Sequence, residues 1–455
     1  MPLSSVNPAT EEAIQEYPLH TEPEVERRLQ RAASGSSVNR ARSYDARAAR
    51  LEHVADLLEG NAGSLGATMT EEMGKPIAQA KAEAEKCAWV CRYYAEHGAD
   101  FLDDESVETD AHASYVAYEP LGPLLAVMPW NFPFWQVFRF GAPALMAGNT
   151  ILLKHAPNVT GCAEAIADIF REGGFVDHEV QVLRVEEATV GSILEDRRVR
   201  GATLTGSVAA GQAVAQQAAA HIKPTVLELG GSDPFIVCAD ADLDAAASVG
   251  CTARMQNNGQ SCIAAKRFIV ERPVLEDFTD RLLQKVEALR VGDPTDDRTD
   301  VGPMARADLR DAVHDQVERA IGQGAVALTG GHTLERDGFY YAPTVLADVE
   351  PGTVAFEEEI FGPVASIVAA DDSEHALALA NDTRFGLGGS VFTEDLEKGE
   401  RMARGLEAGC AFVNEMTKSD PRLPFGGIKD SGYGRELSHH GIREFVNAKT
   451  VWVEG

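Results

Sequence analysis

Two residue types in this chain are placed to act as a nucleophile and a base. Cys262 sits in Asn258-Gly259-Gln260-Ser261-Cys262, and Glu228, 34 positions upstream, sits in Leu227-Glu228-Leu229-Gly230-Gly231. A thiolate attacks a carbonyl carbon, and a carboxylate at a glycine-flanked strand end can later activate the water that releases the product. Alone the pair carries little weight, because most cysteines are small buried hydrophobes. Asn131 sharpens it. In Pro129-Trp130-Asn131-Phe132-Pro133 an amide is held between two prolines and two aromatics, a fixed donor suited to an oxyanion. Together the three groups suit attack on a carbonyl and release of the product by water.

The elements that must position them follow from the apolar pattern. The first hundred residues read as mostly helical, with arginine- and glutamate-rich runs at 25–33 and 46–58. Apolar strands at 124–128, 150–154, 181–185, 201–204 and 225–229 then alternate with helical stretches. That rhythm predicts a parallel sheet covered on both faces, with ligands at the carboxyl ends of its strands. After Gly230-Gly231, a plausible hinge, a second series follows at 234–238, 267–270, 363–368, 389–392 and 411–414, with helices at 275–290 and 306–322. The apolar stretch 121–138 is broken by Pro123, Pro129 and Pro133, so it reads as strand, loop and helix rather than a membrane span. Strand-like segments at 114–118 and 449–454 stand alone and are expected to pair with a second subunit.

Bulk properties bound the function. A chain of 455 residues exceeds one core and predicts two or three domains. There are 71 acidic and 41 basic residues, giving a formal charge of −30, and only 11 of the basic residues are lysine. Such a surface argues against nucleic-acid or anionic-membrane partners. It fits a protein kept soluble in a high-salt, halophilic cytoplasm. Seven scattered cysteines predict free thiols in a reducing compartment, and the opening residues carry no signal-peptide pattern, so a cytoplasmic setting is expected. Cys87 and Cys91 share a helix face without a completing ligand pair, and no metal site is expected.

With Glu358-Glu359-Ile360-Phe361-Gly362-Pro363 and Pro424-Phe425-Gly426-Gly427-Ile428-Lys429 following in order, nearly the whole chain resembles the aldehyde dehydrogenase superfamily. The likeness is greatest to the short microbial branch of the succinate-semialdehyde dehydrogenase (NAD(P)+) subfamily. It implies an α/β fold with two doubly wound parallel-sheet domains and a small β oligomerisation arm. Residues 1–107 and 121–229 would form a Rossmann-like dinucleotide-binding domain, 230–436 the domain of the nucleophilic cysteine, and 108–120 with 437–455 the arm. It also implies a homodimer or a tetramer of two dimers. The implied reaction oxidises a small-molecule aldehyde to its acid: Cys262 forms a thiohemiacetal and then a thioester, Asn131 and the Cys262 N–H hold the oxyanion, and water activated by Glu228 hydrolyses the thioester.

No Gly-x-Gly-x-x-Gly follows a strand, so cofactor residues come from the resemblance. It assigns Gly206 and Ser207 to the phosphates, Lys154 to the adenosine ribose, Glu359 to the nicotinamide ribose, and Trp130 and Phe361 to the cofactor site. Pro157 stands where many NAD-preferring relatives carry a glutamate, which tilts the expectation from NAD toward NADP, although Glu186 and Glu187 lie nearby. Arg139 matches an arginine of the succinate-semialdehyde subfamily and is expected to clamp a distal carboxylate, helped by Ser419 and Arg422. A second arginine found in some members is here Gln256. The alternatives are a broad-specificity aldehyde dehydrogenase and a non-catalytic dinucleotide-binding relative.

Overall fold

Every residue of the strands Thr150–His155, Gly201–Thr205, Asp233–Val237 and Ala265–Glu271 is buried. That is what a parallel strand covered on both faces requires, and it explains why these segments read as unbroken apolar runs. The computed structural model describes residues 2–176 and 178–455. Among these, the strands form two large sheets, one three-stranded sheet and one hairpin.

The first large sheet places its parallel strands in the order Thr225–Glu228, Gly201–Thr205, Pro123–Met128, Thr150–His155, Val180–Val182. A two-residue strand, Gly432–Tyr433, pairs antiparallel with Thr225–Glu228 at its edge. The chain order reverses between Pro123–Met128 and Gly201–Thr205, so the crevice beyond their carboxyl ends is the topological switch point where such sheets take ligands. The Trp130-Asn131 loop leaves one of these strands and Gly206-Ser207 leaves the other.

The second sheet has seven strands and runs Val326–Thr329, Thr344–Ala347, Val364–Ala370, Ala265–Glu271, Asp233–Val237, Ser390–Phe392, Phe412–Val413, parallel except at its first pair. Here the chemistry lies at the opposite end. Cys262 immediately precedes Ala265–Glu271, and Glu359 and Phe361 precede Val364–Ala370. Amino ends of the second sheet thus approach the first sheet across Leu229–Ser232, four residues that separate the strand ending at Glu228 from the one beginning at Asp233.

The two strands that read as isolated in sequence, expected to pair with a second subunit, pair with each other within the chain. Val446–Val453 pairs antiparallel with Ala113–Pro120 along its whole length, and Glu105–Ser106 adds a short third strand. Each satisfies the other's backbone within one chain, across more than 300 residues of sequence. The outer face stays open, with Trp452 52% and Val453 43% exposed. An N-terminal hairpin, Leu3–Val6 with Ala13–Tyr17, and the strands Val326–Thr329 and Thr344–Ala347 join the elements legible in the sequence. No helix among the described residues is long and apolar enough to cross a membrane. Cys87 and Cys91 are buried helix-face residues of Ile77–His97, and burial pushes both thiols up.

Candidate active site

Cys262 is held by a loop that local propensity alone would not form. Asn257, Asn258 and Gly259 are consecutive left-handed residues, at φ 54°, 57° and 72°. Asparagine tolerates this conformation better than other side chains, but three in a row persist only when the surroundings over-determine them. The Asn257 side chain donates to the carbonyls of Asn131 (2.7 Å) and Gln260 (2.9 Å). The Asn258 side chain donates to Gly74 and Pro303 and accepts from the Gly302 N–H. Gln260 accepts from the Ala305 N–H. A Cβ on Gly259 would lie 2.4 Å from the Gly362 carbonyl, so contact as well as φ demands glycine there. The buried guanidinium of Arg254 donates to Gly259, Ile360 and Gly362, tying the nucleophile loop to the Glu359–Phe361 segment.

The thiol opens on a cavity of about 370 Å³ whose wall includes Phe132, Trp135, Arg139, Ser261, Ser419 and Phe425. Burial raises the Cys262 pKa to about 11; the charges of Arg139 and Lys266 oppose this, and those of Glu359 and Asp233 add to it. Lys266 donates to the Ser261 (2.9 Å) and Cys262 (2.8 Å) carbonyls and pairs with Glu359 at 3.2 Å. The Cys262 N–H donates to no protein acceptor among the described residues.

Asn131 stands behind the nucleophile loop. Its Nδ2 donates to the Gln260 carbonyl at 3.1 Å, and its Oδ1 accepts from Gln136 at 3.1 Å. These contacts fix the amide plane, and the second amide hydrogen has no protein acceptor among the described residues. Replacing Asn131 with alanine is expected to lower kcat by roughly 10²- to 10³-fold, about 3 kcal/mol of transition-state stabilisation. Steady-state oxidation, with melting as a folding control, measures it; a loss under about fivefold would remove Asn131 from the oxyanion site.

Glu228 ends its strand beside Thr205 and is buried, with neither carboxylate oxygen hydrogen-bonded among the described residues. Burial pushes its pKa well above the usual carboxylate range, and the Arg139 charge pulls it back. Arg139 also acts on Cys262, so one guanidinium couples the two groups electrostatically. Neither Glu228 nor Asn131 is part of the cavity wall that holds Cys262. Glu228 has no hydrogen bond among the described residues to lock its rotamer.

The expected substrate residues separate. Arg139 lines the cavity, but its Nε is ion-paired with buried Glu436, an Nη donates to Thr205 Oγ1, and Phe425 stacks on it at 4.7 Å. Its charge is therefore already matched within the protein, so a substrate carboxylate at Arg139 would share the guanidinium with Glu436. Ser419 is in the cavity wall. Arg422 is not: it is exposed, makes a two-point ion pair with Asp420 at 2.8 and 2.6 Å, and lies over Trp89. Two cavity residues that sequence does not single out are Lys75 and Lys86, on and next to a polar helix whose spacing gives no sign of chemistry.

Of the expected cofactor residues, Trp130, Lys154, Gly206 and Ser207 lie at the carboxyl ends of the first sheet, and Glu359 and Phe361 precede a strand of the second. Ser207 caps the helix Val208–Ala220, accepting from the Ala210 N–H at 3.2 Å, and leaves the first-turn N–H groups available to an anion. Around Gly206 the nearest atoms to a Cβ are 3.5 Å and 4.0 Å away, so the backbone is open to approach. Lys154 is buried at its strand end without an ion pair among the described residues; burial lowers its pKa, and Glu187 acts against that shift. Pro157 is exposed one turn beyond. Trp130 and Phe361 meet edge to face at 5.8 Å. Glu359 accepts from the Gly231 N–H, and a Cβ on Gly230 would overlap its carboxylate, so that glycine clears its path. A helix N-terminus, a lysine without an ion pair among the described residues and an aromatic pair fit a nicotinamide dinucleotide.

Comparison with known proteins agrees. The family model described as the aldehyde dehydrogenase family matches residues 1–451. Succinate-semialdehyde dehydrogenase [NADP(+)] 1 of Mycobacterium tuberculosis is 52% identical over 456 residues, covering 100% of both chains. Succinate semialdehyde dehydrogenase [NAD(P)+] Sad of Escherichia coli K12 is 48% identical, covering 98% of this chain and 97% of its own. The crystal structure of succinic semialdehyde dehydrogenase from Streptococcus pyogenes in complex with NADP+ superposes with a TM-score of 0.97 at 34% identity, over 100% of both chains.

Proposed function

The chain belongs to the aldehyde dehydrogenase family, and on that premise we propose that it oxidises succinate semialdehyde to succinate, with NADP as the favoured cofactor and water as the acyl acceptor. The observation that carries the substrate is the cavity in front of Cys262, whose wall holds Arg139, three lysines and Ser419 beside apolar rings. A short aldehyde bearing a carboxylate matches that mixture. Its family relatives carry the same substrate in their names.

In the reading we favour, Cys262 attacks as the thiolate, its negative charge supported by Arg139 and Lys266. The carbonyl π electrons pass to oxygen, where the Asn131 amide and the Cys262 N–H hold the charge. A bound nicotinamide supplies the acceptor for the hydride that leaves carbon as the carbon–oxygen double bond re-forms. The acyl group then stays on sulfur as a thioester. Glu228 takes a proton from water, the oxygen attacks the thioester carbon, and collapse frees the acid and returns the thiolate. Lys154, Gly206 and Ser207 would hold the dinucleotide phosphates and ribose. Exposed Pro157 in place of an acid supports NADP, and Glu187 near Lys154 tempers it.

We assign residues 1–107 and 121–229 to dinucleotide binding, 230–436 to the nucleophile domain, and 108–120 with 437–455 to an oligomerisation arm. The sheet change between Glu228 and Asp233 supports the first boundary. The open outer strand supports a homodimer or a tetramer of two dimers. Seven free thiols support a cytoplasmic site, and the acidic surface a salty one.

A second reading, broad aldehyde specificity, draws on the pairing of Arg139 with Glu436 and on uncharged Gln256 in the cavity wall. A kinetic matrix decides between them: succinate and glutarate semialdehydes, propanal and benzaldehyde, each with NAD and NADP, in low and multimolar KCl. The semialdehydes are expected to exceed the neutral aldehydes by roughly 10²-fold or more in kcat/KM. NADP should exceed NAD, and activity should hold at high salt. Comparable rates across the aldehydes would favour broad specificity.

A further inference from the structure

We propose that Lys86 is the residue that binds the distal carboxylate of the substrate, with Ser419 as its partner; this rests on the carboxyl-bearing aldehyde reading above. Four cations line the Cys262 cavity: Lys75, Lys86, Arg139 and Lys418. Three have carboxylate partners. Lys75 pairs with Glu83, Arg139 with Glu436, and Lys418 with Glu415 at 2.8 Å. Lys86 has no carboxylate within ion-pair distance among the described residues. Its Nζ donates to Ser419 Oγ at 2.9 Å and sits 4.3 Å from the centre of the Trp135 ring. An ammonium carries three donors, so two remain for a ligand.

The surroundings keep Lys86 in this state. Glu83, one turn earlier on the same helix, is fully engaged. One oxygen takes Lys75, and the other accepts the Phe134 and Trp135 N–H groups at 2.9 Å, at the start of the helix Trp135–Ala147. That carboxylate neutralises a helix N-terminus and orders the helix that carries Gln136 and Arg139. Asp420, next to Ser419, is held by Arg422 through two hydrogen bonds and makes no ion pair with Lys86. Arg422 therefore serves the site indirectly, by occupying the acid that would otherwise quench the lysine. Arg139 is a poorer clamp, because a substrate carboxylate there would join Glu436 and Glu228 around one guanidinium. Gln256, in the same wall, offers no charge.

Burial lowers the Lys86 pKa to about 8, the Arg139 charge adding to the shift while Cys87, Glu83 and Asp420 oppose it. An anion beside the ammonium relieves that desolvation. Lys86 carries its charge predominantly below about pH 8, so selectivity for the anionic substrate is expected to be greatest there and to fall as pH rises through about 8.

The test is the ratio of kcat/KM for succinate semialdehyde to that for pentanal, a neutral aldehyde of similar length, measured across pH for wild type, Lys86→Met and Lys86→Arg, with melting as a folding control. Lys86→Met is expected to lower the ratio roughly 10- to 100-fold through the KM of the semialdehyde, the range for a charged hydrogen bond, and to flatten its pH profile. Lys86→Arg is expected to restore most of it. An equal loss with both aldehydes in Lys86→Met would make the lysine structural and overturn the proposal. An unchanged ratio in a variant whose wild type prefers the semialdehyde would overturn it in favour of Arg139. A wild type without that preference would instead overturn the substrate reading itself.

Discussion

Replacing Cys262 with alanine is expected to abolish oxidation of every aldehyde, lowering kcat/KM by roughly 10⁴- to 10⁶-fold, the scale on which a covalent nucleophile is lost. The prediction follows from the loop rather than from the presence of a thiol. Seven cysteines are free in this chain, and burial raises all seven thiols. Cys262 is the one that opens on the aromatic and cationic cavity and follows three left-handed residues clamped by side chains. Its sulfur alone has both Arg139 and Lys266 opposing the effect of burial. The serine variant should be nearly as inactive, because a hydroxyl without an adjacent base is a weak nucleophile. Reduced nicotinamide should then fail to appear even in a single turnover, while dinucleotide binding persists. A companion measurement is alkylation of the ligand-free enzyme. With the thiol pushed to about 11, the rate should climb about tenfold per pH unit through neutrality, in step with the thiolate fraction. An alanine variant that still oxidises aldehydes would remove the thioester route altogether.

Much of this site was legible because its groups sit on short, strongly patterned segments. Buried parallel strands are continuous apolar runs, so Pro123–Met128, Gly201–Thr205 and Thr225–Glu228 could be read to within a residue or two, and with them the loops carrying Asn131, Ser207 and Glu228. Edge strands gave less. Val326–Thr329 alternates exposed and half-buried residues and pairs with Thr344–Ala347, a contact set by tertiary packing. Ala113–Pro120 and Val446–Val453 looked unpartnered because the partner of each is hundreds of residues away. Electrostatic pairing was the least legible level. Nothing near Arg139 in sequence predicts Glu436, nearly 300 residues on, and that pairing leaves one guanidinium shared between Glu436 and the charges of Cys262 and Glu228. Lys86 was hidden for the converse reason. On a helix rich in Glu and Lys it looks like a solvated face, and only the full engagement of Glu83 and Asp420 shows that it lacks a partner.

The second large effect concerns the step after oxidation. Glu228→Gln is expected to preserve a burst of one reduced nicotinamide per active site and to lower steady turnover by roughly 10²- to 10⁴-fold, the usual contribution of a positioned base. The substitution is nearly isosteric in a buried site, so packing should survive. What disappears is the capacity to take a proton from water. The environment argues that this capacity is finely set. Glu436 takes the Arg139 guanidinium directly, and Glu228 feels that charge without contacting it, keeping a pKa well above the usual carboxylate range. A general base with a raised pKa works where it is ionised, so thioester hydrolysis in the wild type should be lost as pH falls through that raised value and recover as pH rises, while in Glu228→Gln the residual hydrolysis should lose this dependence. Because neither oxygen is hydrogen-bonded, the carboxylate can turn toward the thioester without breaking a protein contact. Rapid-mixing measurement of the burst and the following steady rate separates the two steps. Normal steady turnover in the variant would assign the base elsewhere, and a missing burst would show that Glu228 acts before the thioester forms, as the base that deprotonates Cys262.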